Sequence, residues 1–420
     1  MQRFAWVALV AVLTGSVAQA QTVRLAEAPA PRPDMTARAL EFSEFEAWRD
    51  AFRTRALGAG IAEPVFDTSF RGITPSRRIL DRDDSQPEIV RAVEDYIAGA
   101  VSTRRVADGQ RYAQRYAGTL AAIEARYGVD SAGVLAIWGM ETAYGAIRGD
   151  DSVIRSLATL AFEGRRRDWA ERELIAVMTI LQSGKVLPQD LRGSWAGAMG
   201  HTQFMPTSYL NFAQDFDGDG VANIWSENPT DALASAAHYL KEHGWVQGAP
   251  WGVEVTVPAG FNYLLMDRHV SRPVSFWNRL GVRTVSGGPI PDHGNSAMLA
   301  PAGAGGPVFL TFANFDAIRS YNRSTSYAIA VGHLAERISG AAPIATPWPR
   351  GVLPLPRKDR VTLQESLTAL GYDTQGTDGL IGPNTERAIR AFQVDRGLVP
   401  DGMATNLLFD VVVGEAGSRG

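Results

Sequence analysis

Asp130-Ser131-Ala132-Gly133-Val134-Leu135-Ala136-Ile137-Trp138-Gly139-Met140-Glu141-Thr142-Ala143-Tyr144-Gly145 is the stretch on which the reading of this chain turns. Val134, Leu135, Ala136, Ile137 and Trp138 make it apolar on most sides of a helix, which predicts a buried helix. Asp130 or Ser131 is placed to cap its start. Glu141 falls near its end. A carboxylate there loses hydration, which favours the proton-bearing form. A general acid needs that form to protonate a poor leaving group such as a sugar oxygen. The alternative is a helix-terminal glutamate that faces water or pairs with an arginine, and this segment alone does not separate the two.

The chain has 420 residues, enough for two or three domains and a large core. A formal net charge of -4 argues against bulk nucleic-acid binding. At the N-terminus Arg3 precedes an apolar run from Phe4 to Leu13, too short to span a bilayer comfortably. Ala18-Gln19-Ala20 reads as a cleavage site, which predicts a signal peptide over 1–20 and a mature chain from Gln21; a retained anchor is the alternative. There is no cysteine, which excludes a lipoprotein anchor, disulfides and thiolate chemistry. No later segment reads as membrane-spanning. The expectation is an exported, soluble, periplasmic protein with no anchor after cleavage.

Prolines at 29, 31 and 33 make residues 21–37 a lead-in. Residues 38–130 read mainly as helices, with Phe42, Phe45, Trp48 and Phe52 on one apolar face. Pro87 starts a helix through Val90, Val93, Tyr96 and Ile97. Helices continue to 245, interrupted at 193–200 and by an acidic loop at 215–231. Val253, Val255 and Val257 alternate with polar residues, so a small β subdomain is expected over about 251–312. One last helix follows over about 313–339. Five prolines make 340–358 an extended linker. The apolar positions of 359–413 suit a separate three-helix domain. The fold class is therefore mainly α (α+β).

Further segments bear on Glu141. Gly197-Ala198-Met199-Gly200-His201-Thr202-Gln203-Phe204-Met205-Pro206-Thr207-Ser208-Tyr209 combines small residues with the donor and acceptor of Gln203. Ser194 and Trp195 stand just before it. Tyr321, Asn322 and Tyr327 form a late polar and aromatic cluster, and Tyr239 lies in an Ala-rich helix. Such residues suit sugar rings, although each tyrosine alone is as well explained by packing.

Together these segments resemble the lytic murein transglycosylases of the membrane-bound lytic transglycosylase B family. The similar parts are Glu141-Thr142-x-Tyr144-Gly145, the 197–209 motif, Asp215 to Gly220 with Asn223-Ile224-Trp225, Asp231 to Tyr239 with His243-Gly244-Trp245, and Asn314 to Ala328. They occur in the same order over residues 38–339. The resemblance implies a lysozyme-like helical core that cleaves the β-1,4 bond between N-acetylmuramic acid and N-acetylglucosamine in peptidoglycan. It makes Glu141 the sole acid/base, with no cofactor required for the chemistry. Ser194, Gln203, Tyr239, Tyr321, Asn322 and Tyr327 match substrate-cleft positions, and Tyr96 matches one by spacing alone. Trp169 stands where the family suggests tyrosine, and His201 where an aromatic is common. Ordinary glycosidases need two carboxylates. The family manages with one, because the muramic C6 hydroxyl closes a 1,6-anhydro ring and no water is consumed. A hydrolytic muramidase and a non-catalytic peptidoglycan-binding protein are the competing readings.

Asp215-x-Asp217-x-Asp219-Gly220 matches the first half of an EF-hand loop, with the Val221 carbonyl as a further ligand. Ser226 occupies the twelfth position, where a glutamate is usual. Asp231 is then the expected closing ligand, as the resemblance suggests, with Glu227 as its rival. One structural calcium is expected, and a solvated acidic turn is the alternative. Spacing gives no case for zinc. Finally, Leu370-Gly371-Tyr372, Asp378-Gly379, Gly382-Pro383-x-Thr385, Ala391-Phe392-Gln393 and Asp401-Gly402 resemble the helical peptidoglycan-binding domain of wall hydrolases. That implies glycan strands as the partner.

Overall fold

The computed structural model describes residues 42–84, 92–266 and 270–419. The predicted leader over 1–20, the lead-in over 21–37 and the helix start at Pro87 lie outside them. The described chain divides into two compact units, one of residues 42–84 and 107–242, the other of 92–106 and 243–419.

The first helices in chain order are α1 (Phe42–Gly58), α2 (Glu63–Phe70), α3 (Arg77–Asp84), α4 (Val93–Ala100), α5 (Thr103–Arg115), α6 (Ala117–Tyr127) and α7 (Ser131–Thr142). Then come α8 (Val153–Glu163), α9 (Arg167–Gln182), α10 (Pro206–Phe212) and α11 (Thr230–Glu242). Two short strands, β1 (Asp151–Ser152) and β2 (Arg192–Gly193), pair antiparallel within the first unit. The expected aromatic face of α1 is buried: Trp48 stacks on Phe52 at 5.5 Å between ring centroids, and Phe66 and Phe70 of α2 close the cluster. Phe42's side chain lies outside the description.

A polar clamp ties α1 to α9. Buried Glu171 accepts from Trp48 Nε1 at 3.0 Å and from Arg55 Nε at 2.9 Å. Glu171→Ala strands the indole N–H in the core. The expected loss is about 2 kcal/mol, and urea unfolding measures it.

Helix α7 is the centre of this unit. Every residue from Gly133 to Gly139 is buried, as its all-round apolar character requires. Its start is capped from α6: Glu124 accepts from the Ser131 N–H at 3.0 Å and the Ser131 hydroxyl at 2.7 Å. Asp130 occupies the N-cap position but makes no cap hydrogen bond with its side chain. The capping role thus goes to a longer carboxylate one helix earlier.

In the second unit, the remaining strands are β3 (Gly252–Thr256), β4 (Arg272–Pro273), β5 (Arg283–Thr284), β6 (Asn295–Leu299) and β7 (Val308–Thr311). They form an antiparallel sheet in the order β4-β6-β7-β3-β5, with Val253 opposite Leu310 and Val255 opposite Val308. Helix α12 (Val274–Arg279) contributes Trp277 to the core, beside Met298, Leu310 and Phe312. The expected single helix over 313–339 is two, α13 (Ala313–Tyr321) and α14 (Thr325–Ile338). Asn322 leaves the helical region at φ -146°, and Ser324 caps the next helix by accepting from the Tyr327 N–H.

The C-terminal helices are α15 (Arg357–Ala369), α16 (Pro383–Asp395) and α17 (Asn406–Arg419), around Leu363, Leu367, Ile389, Phe392 and Val412. The last runs past 413. Each Asp-Gly turn is held by a buried glutamine: Gln364 accepts from the Gly379 N–H at 2.7 Å, and Gln393 from the Gly402 N–H at 2.9 Å. The proline-rich stretch is pinned to the sheet, because Glu254 accepts from the N–H groups of Ala345 and Thr346 at 2.8 and 2.7 Å. Asp401 accepts from the Ala304 N–H at 3.1 Å, and Arg390 donates to the Met266 carbonyl at 2.8 Å. Among the described residues, no helix is long and apolar enough to cross a membrane.

Candidate active site

Glu141 lies in the last turn of α7 and is 2 % exposed. Beyond Thr142 the backbone turns left-handed at two non-glycine residues in succession, Ala143 at φ 49° and Tyr144 at φ 59°. Such conformations are costly and persist where the surroundings enforce them. The Tyr144 ring lies over the bare Cα of Gly139 and packs against Tyr112 and Trp138, with centroids at 5.2 and 5.5 Å. The Thr142 hydroxyl donates to the His201 carbonyl at 2.7 Å and accepts from the Gly145 N–H at 2.9 Å. The turn after Glu141 is thus fastened to the 197–209 motif.

That motif is a tight set of loops. Gly200 is left-handed at φ 69°, and a Cβ there would come within 2.5 Å of the Ile224 carbonyl oxygen. Gln203 is also left-handed, at φ 52°, and only 7 % exposed. Its Nε2 donates to the carbonyls of Gly200 and Arg148 at 2.9 and 3.0 Å. With both donors spent, its buried Oε1 remains without a hydrogen bond. A buried acceptor in that state is costly unless a ligand supplies a donor. Ser194 is half-buried and accepts from the N–H groups of Ala196 and Ala198 at 3.3 and 3.0 Å. Tyr239 is half-buried on α11, with its ring against Phe212 at 4.8 Å.

Tyr96, Tyr321, Asn322 and Tyr327 belong to the second unit. Helix α4, which carries Tyr96, packs against α14, which carries Tyr327. Tyr321 ends α13 half-buried, and the buried Asn322 accepts from the Ser324 N–H at 3.0 Å. Tyr327 is buried in the first turn of α14. Trp169, in the first unit, is half-buried with the Arg166 guanidinium over its ring.

The acidic loop gathers its charges. One carboxylate oxygen each from Asp215, Asp217 and Asp219 lies within 4.8 Å of the others, and all three residues are exposed. Gly220 takes the sharp turn at φ 98°. Asp231 stands apart from that trio and is 2 % exposed. Its Oδ1 accepts from the N–H groups of Phe216 and Asp217 at 2.8 and 3.3 Å, and its Oδ2 from that of Asn223 at 2.8 Å. Glu227 pairs with Arg148 at 2.5 Å. The Tyr209 hydroxyl donates to the Ala222 carbonyl at 2.9 Å, and burial pushes its pKa up to about 12.

Residues 44–336 match the transglycosylase SLT domain family. The chain belongs to that family.

A second match, to a peptidoglycan binding domain, covers residues 356–411. The membrane-bound lytic murein transglycosylase B of Escherichia coli strain K12 is 34 % identical over 215 residues, which is 51 % of this chain and 58 % of that protein. The match thus spans little more than half of that curated relative. SltB3 from Pseudomonas aeruginosa, solved in complex with NAG-anhNAM-pentapeptide, is 48 % identical, with a TM-score of 0.85 over 88 % of this chain and 99 % of that one. The Escherichia coli lytic transglycosylase Slt35, solved in complex with calcium, is 29 % identical, with a TM-score of 0.61 over 69 % of this chain and 92 % of that one.

Within this transglycosylase domain, Arg148 and Glu173 hold the site without having stood out in the sequence, and His201 does so in a way the sequence did not suggest. Arg148 donates to the carbonyls of Trp225 and Ser226 at 2.7 and 3.3 Å. Glu173 of α9 accepts from the Thr207 N–H and hydroxyl at 3.0 and 2.9 Å, which fixes the start of α10, and burial raises its pKa despite those bonds. His201, noted only as a departure from the family pattern, is buried at 4 % exposure between Trp138 and Ser226. A run of charged and polar letters gives no hint of such partners.

Burial holds the His201 pKa below its ordinary 6.5, while the Ser226 carbonyl acts in the opposite direction. Between the folded and unfolded values the folded state binds fewer protons. The stability contributed by the neutral ring is therefore complete above about 6.5 and is lost as pH falls through the lower, folded value. Thermal melting is expected to drop as pH falls below about 6.5. His201→Gln, which cannot titrate, shows less of that drop.

Proposed function

We propose that this protein is a lytic transglycosylase of peptidoglycan. In this reading it cleaves the β-1,4 bond between N-acetylmuramic acid and N-acetylglucosamine without water and leaves 1,6-anhydromuramic ends. The observation that carries the reading is Glu141, a buried carboxyl at the left-handed turn, in a chain of this family. SltB3, solved with NAG-anhNAM-pentapeptide and with NAG-NAM-pentapeptide, supports the substrate class. The other buried acids among the described residues are occupied in holding the fold. Asp83 pairs with Arg165 and Arg166, Glu171 with Trp48 and Arg55, Glu173 with Thr207, and Asp231 with three backbone amides. That distribution suits chemistry with one carboxylate rather than the pair of an ordinary glycosidase.

Glu141 first donates its proton to the glycosidic oxygen. The C1–O bond breaks as positive charge spreads onto the ring oxygen. The C6 hydroxyl of the same muramic residue attacks C1, and the Glu141 carboxylate takes its proton. The acid is thereby regenerated, and the sugar closes as an anhydro ring. An internal hydroxyl has an orientation advantage over water. Gln203 Oε1 is available to accept from a sugar hydroxyl or N-acetyl N–H. Ser194 and Tyr239 are proposed as glycan contacts, as are Tyr96, Tyr321, Asn322 and Tyr327. Residues 356–411 are proposed to hold the same polymer. The location proposed is the periplasm.

Mass spectrometry of digested peptidoglycan tests the reaction. Products ending in 1,6-anhydromuramic acid are expected. Reducing muramic ends, one water heavier, would replace the reading by a muramidase, and no products from several walls would leave a binding protein.

The acidic loop is proposed to hold one structural calcium. Asp215, Asp217 and Asp219 converge with the spacing and the sixth-position glycine of an EF-hand, which fits a hard cation. Asp215, Asp217, Asp219 and the Val221 carbonyl would hold it; Asp231, expected from the sequence as the closing ligand, instead ties the loop by accepting from the N–H groups of Phe216, Asp217 and Asn223. The ion would supply neutralising charge to the loop and takes no part in the reaction. Replacing Asp217 and Asp219 by Asn is expected to remove a calcium-dependent rise in melting temperature. A variant and parent that melt alike with and without calcium would remove the metal.

A further inference from the structure

We propose that His201 is a positioning residue, a neutral Nε2–H imidazole that clamps the turn after Glu141 to the closing segment of the acidic loop. This rests on the assignment of Glu141 as the acid. The hydrogen bonds fix the tautomer. The indole N–H of Trp138 lies 3.1 Å from His201 Nδ1, and an indole can only donate, so Nδ1 accepts. The proton is therefore on Nε2, which donates to the Ser226 carbonyl at 2.7 Å.

The ring touches the catalytic segment on both sides of Glu141. Trp138 precedes it by three residues on α7, and a Cβ on Gly145 would lie 2.5 Å from the imidazole. The backbone of His201 completes the clamp: its carbonyl accepts from Thr142, and its N–H donates to the Ile224 carbonyl at 3.0 Å. Gln203 follows two residues later and is bonded to the Arg148 carbonyl. One buried residue thus joins α7, the Gln203 loop and segment 224–226.

The charged groups facing the ring are Arg148, whose Nη1 is 3.3 Å from Nε2, and Glu227, which Arg148 pairs. Glu141 stands one turn along α7 from Trp138. A second ring proton would sit on Nδ1, donor against donor with the indole, and would place positive charge beside Arg148. The clamp holds only with a neutral ring.

The test uses the full chain. Nitrogen-15 NMR of the wild-type histidine rings should show a neutral Nε2–H tautomer for His201 at about pH 7; an Nδ1–H tautomer or an imidazolium overturns the proposal. Release of anhydro-muropeptides is then followed from about pH 5 to pH 8 for the wild type, His201→Phe and His201→Gln. His201→Phe fills the space without the hydrogen bonds. Its kcat should fall roughly tenfold or more with KM within about twofold, as misplacement of a catalytic group predicts. His201→Gln, which keeps a donor for Ser226, should recover part of kcat and lose the acidic limb that ring protonation gives the wild type. Unchanged kcat in His201→Phe, or an unaltered acidic limb in His201→Gln, sinks the clamp. If His201→Phe does not fold, the wild-type tautomer and the glutamine profile decide. A wild type that releases no anhydro product would instead defeat the functional reading, with the tautomer still testing the clamp.

Discussion

Under the proposed mechanism, Glu141→Gln is expected to abolish glycan cleavage while leaving the fold and glycan binding in place. The amide matches the carboxyl in size, so the buried site at the end of α7 keeps its packing. It cannot deliver a proton to the glycosidic oxygen or remove one from the C6 hydroxyl. General acid–base catalysis is worth about 10²–10⁴-fold, and here both proton transfers are assigned to one group, so a loss of at least about 10³-fold is expected. Release of soluble muropeptides measures turnover, and melting with sedimentation of bound protein on insoluble walls measures the rest. A variant that keeps more than about a tenth of turnover ends the single-carboxylate mechanism. A variant that loses binding and folding together would make Glu141 a structural acid.

Asp231→Ala unfolds the acidic loop and destabilises the unit that carries Glu141. The carboxylate is buried and satisfies the N–H groups of Phe216, Asp217 and Asn223 from inside the loop. Alanine leaves those donors, in a part-buried loop, without their side-chain acceptor. Each stranded donor costs on the order of 1–3 kcal/mol, so a total of about 3 kcal/mol is expected from urea unfolding. Asp231→Asn should cost roughly half as much, because its carbonyl oxygen still accepts from Phe216 and Asp217 while its amide meets the Asn223 N–H donor to donor. If alanine and asparagine behave alike, or alanine costs nothing, the loop is closed by something other than this side chain. The same variants report on Arg148 and His201, since Trp225 and Ser226 join the loop to those two side chains.

Much of this was legible along the chain. The apolar run from Val134 to Trp138 announced a buried helix because no orientation of that helix offers a polar face. Alternation at Val253 and Val255 announced the sheet, and glycines with paired aspartates marked the turns of the C-terminal helices. Two local expectations needed changing. The cap of α7 comes from Glu124, seven residues before Ser131, rather than from the side chain of Asp130 or Ser131. The last long helix breaks at Asn322, where Ser324 caps the following helix more readily than it continues the preceding one. The proline-rich stretch offered donors for Glu254, ninety-one residues away from Ala345, and composition could not name that partner.

What the sequence determined by itself was therefore local: which segments bury, where they turn, and which residue types stand ready for chemistry, since periodicity and backbone preference act between near neighbours. Only the tertiary structure decided how those residues are held. Trp138 and His201 are sixty-three residues apart, His201 and Ser226 twenty-five, and Glu173 and Thr207 thirty-four. A buried donor takes whichever acceptor the packing brings within about 3 Å, and that choice exists only once the helices have closed on one another.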